Sequence, residues 1–498
     1  MPRISLFLTL FAVVFSCCGP SSQKVEFYIL QMNDVYEIAP LEGGKVGGVA
    51  RVATVLDSLK AINPNTISLL SGDFLSPSLI GTLKYQGQKI AGLQMVEALN
   101  VLGLDYVGFG NHEFDVKEHE VQQQIDRSAF TWISSNTFHR VNGQAETWTQ
   151  RGTALPAFIA KEFKNDSGAS VRIGLIGINV DFNKKDYVSY NSNYAEAGKA
   201  VLEKYKDAYD VPIAITHLEV YQDKAFSEAL PQIPLLLGGH DHVNMSVPVG
   251  KAVITKADAN AKTVYIHRCT YDQSTKELSI ESTLKPITDK VKAKPAVQAI
   301  VDKWTKIAEE SMLEMGYDPG KVVYSTSEML DGREKSIRNE PTNLGDMIAQ
   351  SIYVLQSGLD FAVYNSGSIR LDDQLIGDIT QTDILRTLPF GGELVVATMR
   401  GSEVQKMLQI GFEKNKGIGG YFQSAKITVQ PDGFLIDGKA IVSNKIYTFI
   451  APAFLMSGKE ANLDFLKDVS SNQPAEFGNV KNDFRDAVIA YMSNLSGQ

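Results

Sequence analysis

Two histidines, His240 and His242, are by type and spacing the residues of this sequence best suited to metal chemistry. They follow an apolar run over 235–237 that ends in two glycines, a pattern typical of a buried strand opening into a tight loop. Alternate residues of an extended segment project to the same side, so both imidazoles can face one metal ion. Because His-x-His pairs are also common in exposed loops, the rest of the chain must decide.

The same form, an apolar run ending in polar residues that can bind a ligand, recurs elsewhere in the N-terminal half. These runs end at Asp34, at Asp73, at Asn111 with His112 and Asp115, and at His217. Helical patterns lie between several of the runs, for instance over 49–61 and 93–102. Layered α/β folds gather functional groups at strand ends, so we expect one shared site.

These residue types predict a metal site with mixed oxygen and nitrogen ligands. Carboxylate and amide oxygens suit hard divalent cations, imidazole suits zinc, iron and other transition metals, and a carboxylate between two cations can bridge them. Each Asp alone is more often a turn or cap residue. However, four of the seven histidines stand at these strand ends and none follows His267, which favours a single site in the N-terminal half.

Length and charge limit the classes of protein to consider. A chain of 498 residues is expected to form two or three domains, and 44% apolar with 21% charged residues is typical of a folded protein. The net charge of -9 does not indicate a positively charged binding surface, which argues against a nucleic-acid polymer as partner. An anionic substrate would therefore need a local cation or a metal ion.

The first 22 residues resemble an export signal. Arg3 precedes an apolar run over 6–15 that is too short to span a bilayer, and small polar residues follow. Residues 14–17 resemble a bacterial lipobox, which predicts a lipid anchor on Cys17, with plain secretion as the alternative. No Asp follows Cys17, so we expect an outer-membrane lipoprotein in the periplasm or at the cell surface. Only Cys269 lies beyond this leader, so no disulfide framework is expected.

Five short motifs follow one another along the chain. They are 33–36 (Asn-Asp-Val-Tyr), 71–74 (Ser-Gly-Asp-Phe), 110–115 (Gly-Asn-His-Glu-Phe-Asp), 216–218 (Thr-His-Leu) and 238–242 (Gly-Gly-His-Asp-His). Their order and number resemble the calcineurin-like metallophosphoesterases, specifically the branch joined to a 5′-nucleotidase C-terminal domain. The resemblance implies a four-layer α/β/β/α sandwich, followed by a linking helix and a separate α/β substrate-binding domain.

The resemblance also implies two divalent metal ions, with zinc or manganese expected and iron or cobalt as alternatives. Asp73 would bridge both ions. The other ligands would be Asp34 and His242 for one ion, and Asn111, His217 and His240 for the second. Two such cations can clamp a phosphoryl group and activate a bound water.

His112 and Asp115 match the family's paired transition-state residues. His112 would donate to the phosphoryl or leaving-group oxygen, and Asp115 would orient its ring. Tyr36 is a departure, because most of the family has histidine there. A neutral phenol is a poor zinc ligand, so the first metal site would use Glu37 or water instead, or would favour iron if the phenol ionises. The alternative is that Tyr36 only packs beside the site in an active subgroup.

The resemblance divides the chain into four parts: a lipoprotein signal and tether over 1–22, a metallophosphoesterase domain over 23–285, a linker helix region over 286–320 and a 5′-nucleotidase C-terminal domain over 321–498. Apolar residues recur at helical intervals from Pro295 to Met315, with proline in the first turn, where it is tolerated. In this family such a helix permits domain rotation.

Three C-terminal segments, 365–370, 388–392 and 420–423, resemble substrate-binding motifs of the same family. The resemblance implies substrate contacts by Asn365, Arg370 and Phe422, with Arg400, outside these segments, as a second candidate arginine. Arginine offers a planar fork for an anion or ribose, and an aromatic ring accepts any nucleobase. The alternatives are that Arg400 is a solvated charge and Phe422 a core residue. The stretch over 457–465 departs from the family pattern, so the sequence does not assign the second aromatic residue that would stack on a base.

The motifs together predict a metal-dependent phosphomonoester hydrolase, with 5′-nucleotides outside the cytoplasm as the expected small-molecule substrates. A second hypothesis keeps the chemistry but takes sugar phosphates, cyclic nucleotides or other phosphodiesters. A third is a catalytically inactive, surface-anchored binding protein, against which His112, Asp115 and the metal-ligand candidates argue. The oligomeric state is left open.

Overall fold

The computed structural model describes residues 23–182, 184–474 and 481–496. The export signal and the lipid anchor on Cys17, both predicted from the sequence, lie outside these residues. Among the helices that the structure describes, none is both long and apolar enough to cross a bilayer.

Two large sheets form the centre of the N-terminal domain. Their strands are β1 (Lys24–Met32), β2 (Thr66–Ser71), β3 (Tyr106–Gly108), β4 (Thr131–Ile133), β5 (Phe158–Lys164), β6 (Ser170–Asn179), β7 (Val211–His217), β8 (Leu235–Gly238), β9 (Met245–Val249), β10 (Ala252–Lys256), β11 (Thr263–Asp272) and β12 (Glu277–Pro286). The first sheet has the order β12-β11-β1-β2-β3-β4, and the second has the order β5-β6-β7-β8-β10-β9.

Helices cover the outer faces of both sheets. They are α1 (Val49–Ile62), α2 (Leu93–Leu102), α3 (Glu118–Arg127), α4 (Tyr194–Lys204) and α5 (Val220–Ala229). Smaller strands, Thr137–Val141, Gln144–Glu146 and Val188–Tyr190, form a separate three-stranded sheet at the side. Short elements include a helix at Leu79–Thr82 and strand pairs at Lys84–Tyr85 with Gln88–Lys89, and at Thr149–Gln150 with Thr153–Ala154.

Alternation along β1 explains why the domain has four layers. Phe27 and Ile29 pack between the two sheets against residues of β6 and β7, whereas Leu30 and Met32 belong to the core beneath α1 and α2. On the far side, a further core joins the second sheet to α4 and α5. Successive side chains of a strand point to opposite faces, so each sheet buries both of its faces. The predicted α/β/β/α sandwich is confirmed.

The parallel strands bring their carboxyl ends to one edge. In the first sheet β1, β2, β3 and β4 are mutually parallel neighbours, with Met32 opposite Leu70 and Ser71 opposite Gly108. In the second sheet β6, β7, β8 and β10 are parallel in the same way, with Thr216 opposite Gly238. Loops that leave these strand ends therefore meet between the two sheets.

The predicted linking helix is present as α6 (Pro295–Glu314), with proline in its first turn. Val297, Val301 and Trp304 are fully or almost fully buried in the same core as α1 and α2. The helix therefore packs along the N-terminal domain before the chain enters the second domain.

The C-terminal domain is a second α/β unit. Its strands are β13 (Val322–Asp331), β14 (Phe361–Asn365), β15 (Gln374–Thr380), β16 (Leu394–Arg400), β17 (Phe422–Ala425), β18 (Ile427–Gln430), β19 (Gly433–Ile436) and β20 (Ile446–Pro452). Its main sheet runs β17-β14-β20-β16 and ends on the short strand Ser471–Asn472. Helices of this domain are α7 (Asn343–Tyr353), α8 (Gln381–Thr387), α9 (Gly401–Gln409) and α10 (Phe484–Ser496), with short ones at Glu334–Ile337 and Ala453–Met456.

His267, on β11, is a buried residue of the first sheet, and its burial can be tested without involving the site. Its ring is fully buried between Gln31 and Ser282, and burial lowers its pKa to about 3. An unfolded histidine has a pKa of about 6.5, so the unfolded state takes up this proton first as the pH falls. The stability that depends on neutral His267 is present above pH 6.5 and is lost between about pH 6.5 and 3.

We therefore expect the His267→Gln variant to lose less stability in acid than the wild type. Between pH 7 and 4.5 the wild type should lose about 2–3 kcal/mol more of its free energy of unfolding than the variant, because only the wild type gains this proton on unfolding. Urea unfolding of both proteins at the two pH values measures the difference. Equal losses would show that His267 does not carry this acid sensitivity.

Candidate active site

The residues predicted as metal ligands lie together at the carboxyl ends of the parallel strands. Nε2 of His217 lies 3.0 Å from Oδ2 of Asp73 and 3.8 Å from Oδ1 of Asp34. Nε2 of His242 lies 3.3 Å from Oδ1 of Asp34. Ligand atoms of Asp73, His217 and His240 all lie within 4.8 Å of one another. Asn111 is buried three residues after the end of β3, where it begins the turn that carries His112.

The burial and charge of these groups fit a bound cation. Asp34 and Asp73 are both fully buried, and two adjacent carboxylates in such a place are costly unless positive charge faces them. Burial raises the pKa of Asp34, but His242 and His217 outweigh it and hold the pKa below its ordinary value. Burial lowers the pKa of His217, but Asp73 and Asp34 raise it to about 9. The histidines thus supply charge that a bound cation could supply instead.

The far side of each of two histidine rings is held by a hydrogen bond. Nδ1–H of His217 donates to the carbonyl oxygen of Ser71 at 2.7 Å, and Nδ1–H of His242 donates to Oδ2 of Asp372 at 2.9 Å. These bonds select the tautomer and point Nε2 at the carboxylates, the arrangement that ligating histidines usually have. The donor set, its burial and its outer hydrogen bonds therefore fit divalent metal ions.

The backbone around the site is strained in the way functional loops often are. Asp34 and Asp73 each have φ of 52°, His240 has 82° and His242 has 59°. Non-glycine residues rarely adopt this left-handed region, although Asp and His do so more often than most, and four such residues in one site indicate loops held by their surroundings. Close packing also explains one motif glycine, because a Cβ on Gly110 would lie 2.2 Å from Oδ1 of Asp73.

Glu113 is a buried residue of the site that the sequence interpretation missed. Its carboxylate accepts backbone N–H groups from Asp73 at 3.0 Å, Phe74 at 2.7 Å, Leu75 at 3.3 Å and Gly110 at 2.6 Å. Burial, followed by the charge of Asp73, raises its pKa to about 7. Glu113 thereby ties the loop after β2 to the loop after β3 and fixes the position of Asp73.

Replacing Glu113 by Gln should destabilise the protein although the shapes match. One carboxylate oxygen becomes an NH₂ group, which faces two backbone donors instead of accepting from them. Buried donors without acceptors cost about 1–3 kcal/mol each, so two of them should cost about 2–6 kcal/mol. Chemical unfolding at pH 8, with the exposed Glu277→Gln as control, measures it. A loss below about 0.5 kcal/mol would contradict the role of Glu113.

Lys256 plays a similar part for the loop that follows β8, and it too was missed. Its fully buried ammonium group donates to the carbonyl oxygen of Gly239 at 2.8 Å. It also forms ion pairs with Asp223, at 2.7 Å, and with Asp241. The segment that carries His240 and His242 is therefore anchored by a lysine at the end of β10.

His112 and Asp115 form the predicted pair. Nδ1–H of His112 donates to Oδ2 of Asp115 at 2.6 Å, and the backbone N–H of His112 donates to Oδ1 of Asp73 at 2.7 Å. Burial lowers the pKa of His112, but the charges of Asp115 and Asp73 outweigh it and raise the pKa above its ordinary value. The imidazole therefore keeps its proton to a higher pH than an ordinary histidine, and the protonated ring can donate from Nε2.

Tyr36 lies inside the site. Its hydroxyl is 2.9 Å from Nε2 of His242, 3.3 Å from Oδ2 of Asp73 and 3.4 Å from Oδ1 of Asp34. Burial, and then the two carboxylates, raise its pKa well above the ordinary value, so the phenol is neutral here. Glu37 faces the second domain instead, with Oε1 3.7 Å from Nε of Arg386.

The structure brings only some of the residues that were predicted to contact substrate to this site. Arg370 lines a small cavity together with Tyr36, His112 and His242. Nδ2 of Asn365 donates to Oε2 of Glu460 at 2.8 Å, within the C-terminal domain. Arg370 is therefore the member of the predicted set that lines a cavity with predicted metal ligands.

Arg400 and Phe422 are not brought to the site. Arg400 is exposed at the end of β16, just before α9, which agrees with the solvated alternative. Phe422 is fully buried, and its ring packs edge-on against Phe412 in the core of the C-terminal domain. A ring with no exposed face cannot stack on a nucleobase, so the core alternative holds for Phe422 in this structure.

Comparisons with known proteins agree with this geometry. The calcineurin-like phosphoesterase family matches residues 27–244, and the 5′-nucleotidase C-terminal domain family matches residues 322–468. A 5′-nucleotidase of Vibrio cholerae is 26% identical over 476 residues, covering 82% of this chain and 81% of that protein. Protein UshA of Yersinia enterocolitica is 27% identical over 463 residues, covering 80% of each. A 5′-nucleotidase precursor from Thermus thermophilus has a TM-score of 0.76 at 19% identity, covering 94% of this chain and 96% of that one.

Two stacked sheets with a buried cluster of aspartates and histidines at their strand ends define a metallophosphoesterase. Such an enzyme hydrolyses phosphoester bonds, which argues against the hypothesis of an inactive binding protein. More particularly, the chain belongs to the calcineurin-like phosphoesterases that carry a 5′-nucleotidase C-terminal domain.

Proposed function

We propose that this protein is a 5′-nucleotidase that releases phosphate and nucleoside outside the cytoplasm. One observation carries the proposal: His112, Arg370 and the metal-ligand residue His242 line one cavity where the two domains meet. The relatives named 5′-nucleotidase support the choice of substrate. The proposal includes a lipoprotein signal over 1–22 with an anchor on Cys17, and domains over 23–285 and 321–498 joined by 286–320.

Two divalent ions, zinc or manganese, belong to this proposal, with iron or cobalt as alternatives. Asp73 would bridge them. The remaining ligands would be Asp34 and His242 for one ion, and Asn111, His217 and His240 for the other. When bound, the ions would offset the charge of the phosphoryl oxygens and acidify a water for attack. Tyr36 would lie beside these ligands, with its hydroxyl 2.9 Å from Nε2 of His242.

His112 would stabilise charge that develops as the phosphoester bond breaks. Its protonated imidazole can donate from Nε2 to the phosphoryl or leaving-group oxygen. Asp115 holds the opposite nitrogen at 2.6 Å, so the ring keeps its orientation while the proton moves. The backbone bond from His112 to Asp73 ties this donor to the metal-ligand set.

Arg370 would hold the anionic part of the substrate. Its Nε is buried and has no hydrogen-bond partner among the described residues, so a donor of the guanidinium is available to a phosphate or ribose oxygen. The cavity it lines has a volume of only about 10 Å³, room for about one water molecule. A nucleotide is far larger, so we propose that the two domains separate to admit it.

Replacing Arg370 by Met should raise KM for AMP by about 10- to 100-fold, because hydrogen bonds to charged groups contribute about 1.5–3 kcal/mol. Metal binding should be unchanged, since Arg370 contacts none of the proposed ligands through a hydrogen bond. Steady-state kinetics of Arg370→Met and of the exposed Arg400→Met measure this difference. A similar KM for both variants would show that Arg370 does not bind substrate.

Phosphate release by the full-length chain tests the proposed activity. The metal-free protein, and the protein reloaded with zinc, manganese, cobalt or iron, are given AMP, other nucleotides, sugar phosphates and a phosphodiester. Metal-dependent hydrolysis that prefers 5′-nucleotides supports the proposal. No metal-dependent release from any phosphoester would overturn it.

Sugar phosphates or phosphodiesters form the second candidate substrate class, which the burial of Phe422 favours. The half-exposed ring of Phe390, 5.7 Å from the guanidinium of Arg370, is an aromatic surface that a base could use instead. Activity confined to sugar phosphates or diesters in the same assay would support the assigned catalytic residues and contradict a 5′-nucleotide as the substrate.

A further inference from the structure

A carboxylate of the C-terminal domain contacts a metal-ligand residue of the N-terminal domain. Nδ1–H of His242 donates to Oδ2 of Asp372 at 2.9 Å, while Nε2 of the same ring lies 3.3 Å from Oδ1 of Asp34. His242 is therefore held between a carboxylate of the site and a carboxylate of the other domain. Glu334 lies farther away, with Oε2 3.9 Å from the same Nδ1.

Asp372 is itself fixed by other contacts. Its Oδ1 accepts the backbone N–H of Glu334 at 3.0 Å, so both carboxylate oxygens are used. Its carbonyl oxygen accepts from Nζ of Lys262, in the N-terminal domain, at 3.1 Å. Its φ of 44° is the left-handed conformation that Asp and Asn adopt more readily than most residues. The carboxylate thus has a defined position when the domains are together.

We propose that Asp372 is a positioning residue for metal binding, through which the C-terminal domain raises the affinity of the ion that His242 holds. This inference rests on the proposed two-metal function. A carboxylate that accepts from the far nitrogen of a ligating histidine fixes the tautomer and ring orientation and makes the ligand more basic, and its loss typically weakens metal binding 10- to 100-fold.

Domain position and metal affinity are then linked. If the C-terminal domain moves away to admit substrate, His242 loses its acceptor and that ion is held less tightly. By thermodynamic reciprocity, binding of the ion favours the docked arrangement by the same factor. Two further contacts cross this interface: Arg386 with Glu37 at 3.7 Å, and Lys262 with Asp373 at 3.6 Å.

The Asp372→Asn variant tests the proposal with little change in shape. Asparagine also tolerates positive φ, but its single side-chain oxygen can accept from only one of the two donors that Asp372 now satisfies. The metal-free full-length protein is titrated with Mn²⁺ in a calorimeter. We expect two sites in the wild type, one of them weakened 10- to 100-fold in the variant and the other changed by less than about threefold.

The neighbouring Asp373 supplies a matched control. It is also nearly buried and pairs with Lys262, but no hydrogen bond or ion pair joins it to His242 in the described structure. Asp373→Asn should bind both ions as the wild type does. Cobalt adds a spectroscopic test, because a reoriented His242 should change the visible absorption of Co²⁺ at the affected site in Asp372→Asn and leave it unchanged in Asp373→Asn.

Each contrary outcome has a distinct meaning. Wild-type affinity at both sites of Asp372→Asn would overturn this inference and leave the proposed function intact. Equal weakening in Asp373→Asn would also overturn it, since the effect would then come from domain docking in general. A wild-type protein that binds no divalent ion would overturn both proposals. Matching circular dichroism spectra of the metal-free proteins show that the variants fold.

Discussion

Replacing His112 by Ala is expected to lower kcat for phosphoester hydrolysis by about 10²- to 10⁴-fold, with a much smaller change in KM. The loss should fall on kcat because the proton of Nε2 is needed as the leaving-group oxygen gains charge. The hydrogen bond to Asp115 at 2.6 Å and the raised pKa of the ring both favour the protonated form that performs this step. Steady-state kinetics with saturating metal ion measure both constants.

A matched control for His112 is His119, an exposed histidine only seven positions along the chain. His119→Ala should keep wild-type kinetics. If His112→Ala retains more than about a tenth of wild-type kcat at saturating metal and substrate, His112 is not the proton donor. Metal content is measured alongside. It should stay at the wild-type level, because the backbone N–H of His112 that donates to Asp73 is unchanged by the substitution.

Asp73→Asn should remove metal-dependent activity by disrupting both ions at once. Asn keeps the size of the side chain and tolerates the φ of 52°, but it is neutral, so it is a much weaker ligand for two cations than a carboxylate. Metal-ion catalysis contributes several kcal/mol, so we expect activity to fall by at least about 10³-fold. Metal content after dialysis should fall for both sites together.

The exposed Asp57, paired with Lys294 on the surface, provides the control for this substitution. Asp57→Asn should keep both ions and full activity. If Asp73→Asn retained two tightly bound ions, or lost only one of them, Asp73 would not be a bridge and the assignment of the remaining ligands would have to change.

The strand-end residues could be predicted because their signals are local. Apolar runs indicate buried strands, and polar residues directly after them must leave the sheet at its edge. Parallel pairing then brings those edges together, so Asp34, Asp73 and His217 meet although they are far apart in sequence. The linking helix was predictable for the same reason, since its apolar period and its proline are features of the segment itself.

Other features depend on contacts between distant segments, for which the sequence holds little local signal. Glu113 binds backbone N–H groups, which every sequence has, so its role emerges only when two loops meet. Asp372 reaches His242 across 130 positions and a domain boundary. Phe422 matched a substrate-binding motif, yet close packing with Gly411 and Phe412 buries its ring. An acidic residue embedded in a motif, such as Glu113, is the signal that could have been followed.

The most direct test of the account is the position of the metal ions in crystals of the protein grown with Mn²⁺ or Zn²⁺. Anomalous scattering should show two peaks about 3.5–4 Å apart, both in contact with Asp73, one beside Asp34 and His242 and the other beside Asn111, His217 and His240. No peak at these residues, or a single peak that leaves either group of ligands without an ion, would contradict the two-metal site on which the proposed hydrolysis depends.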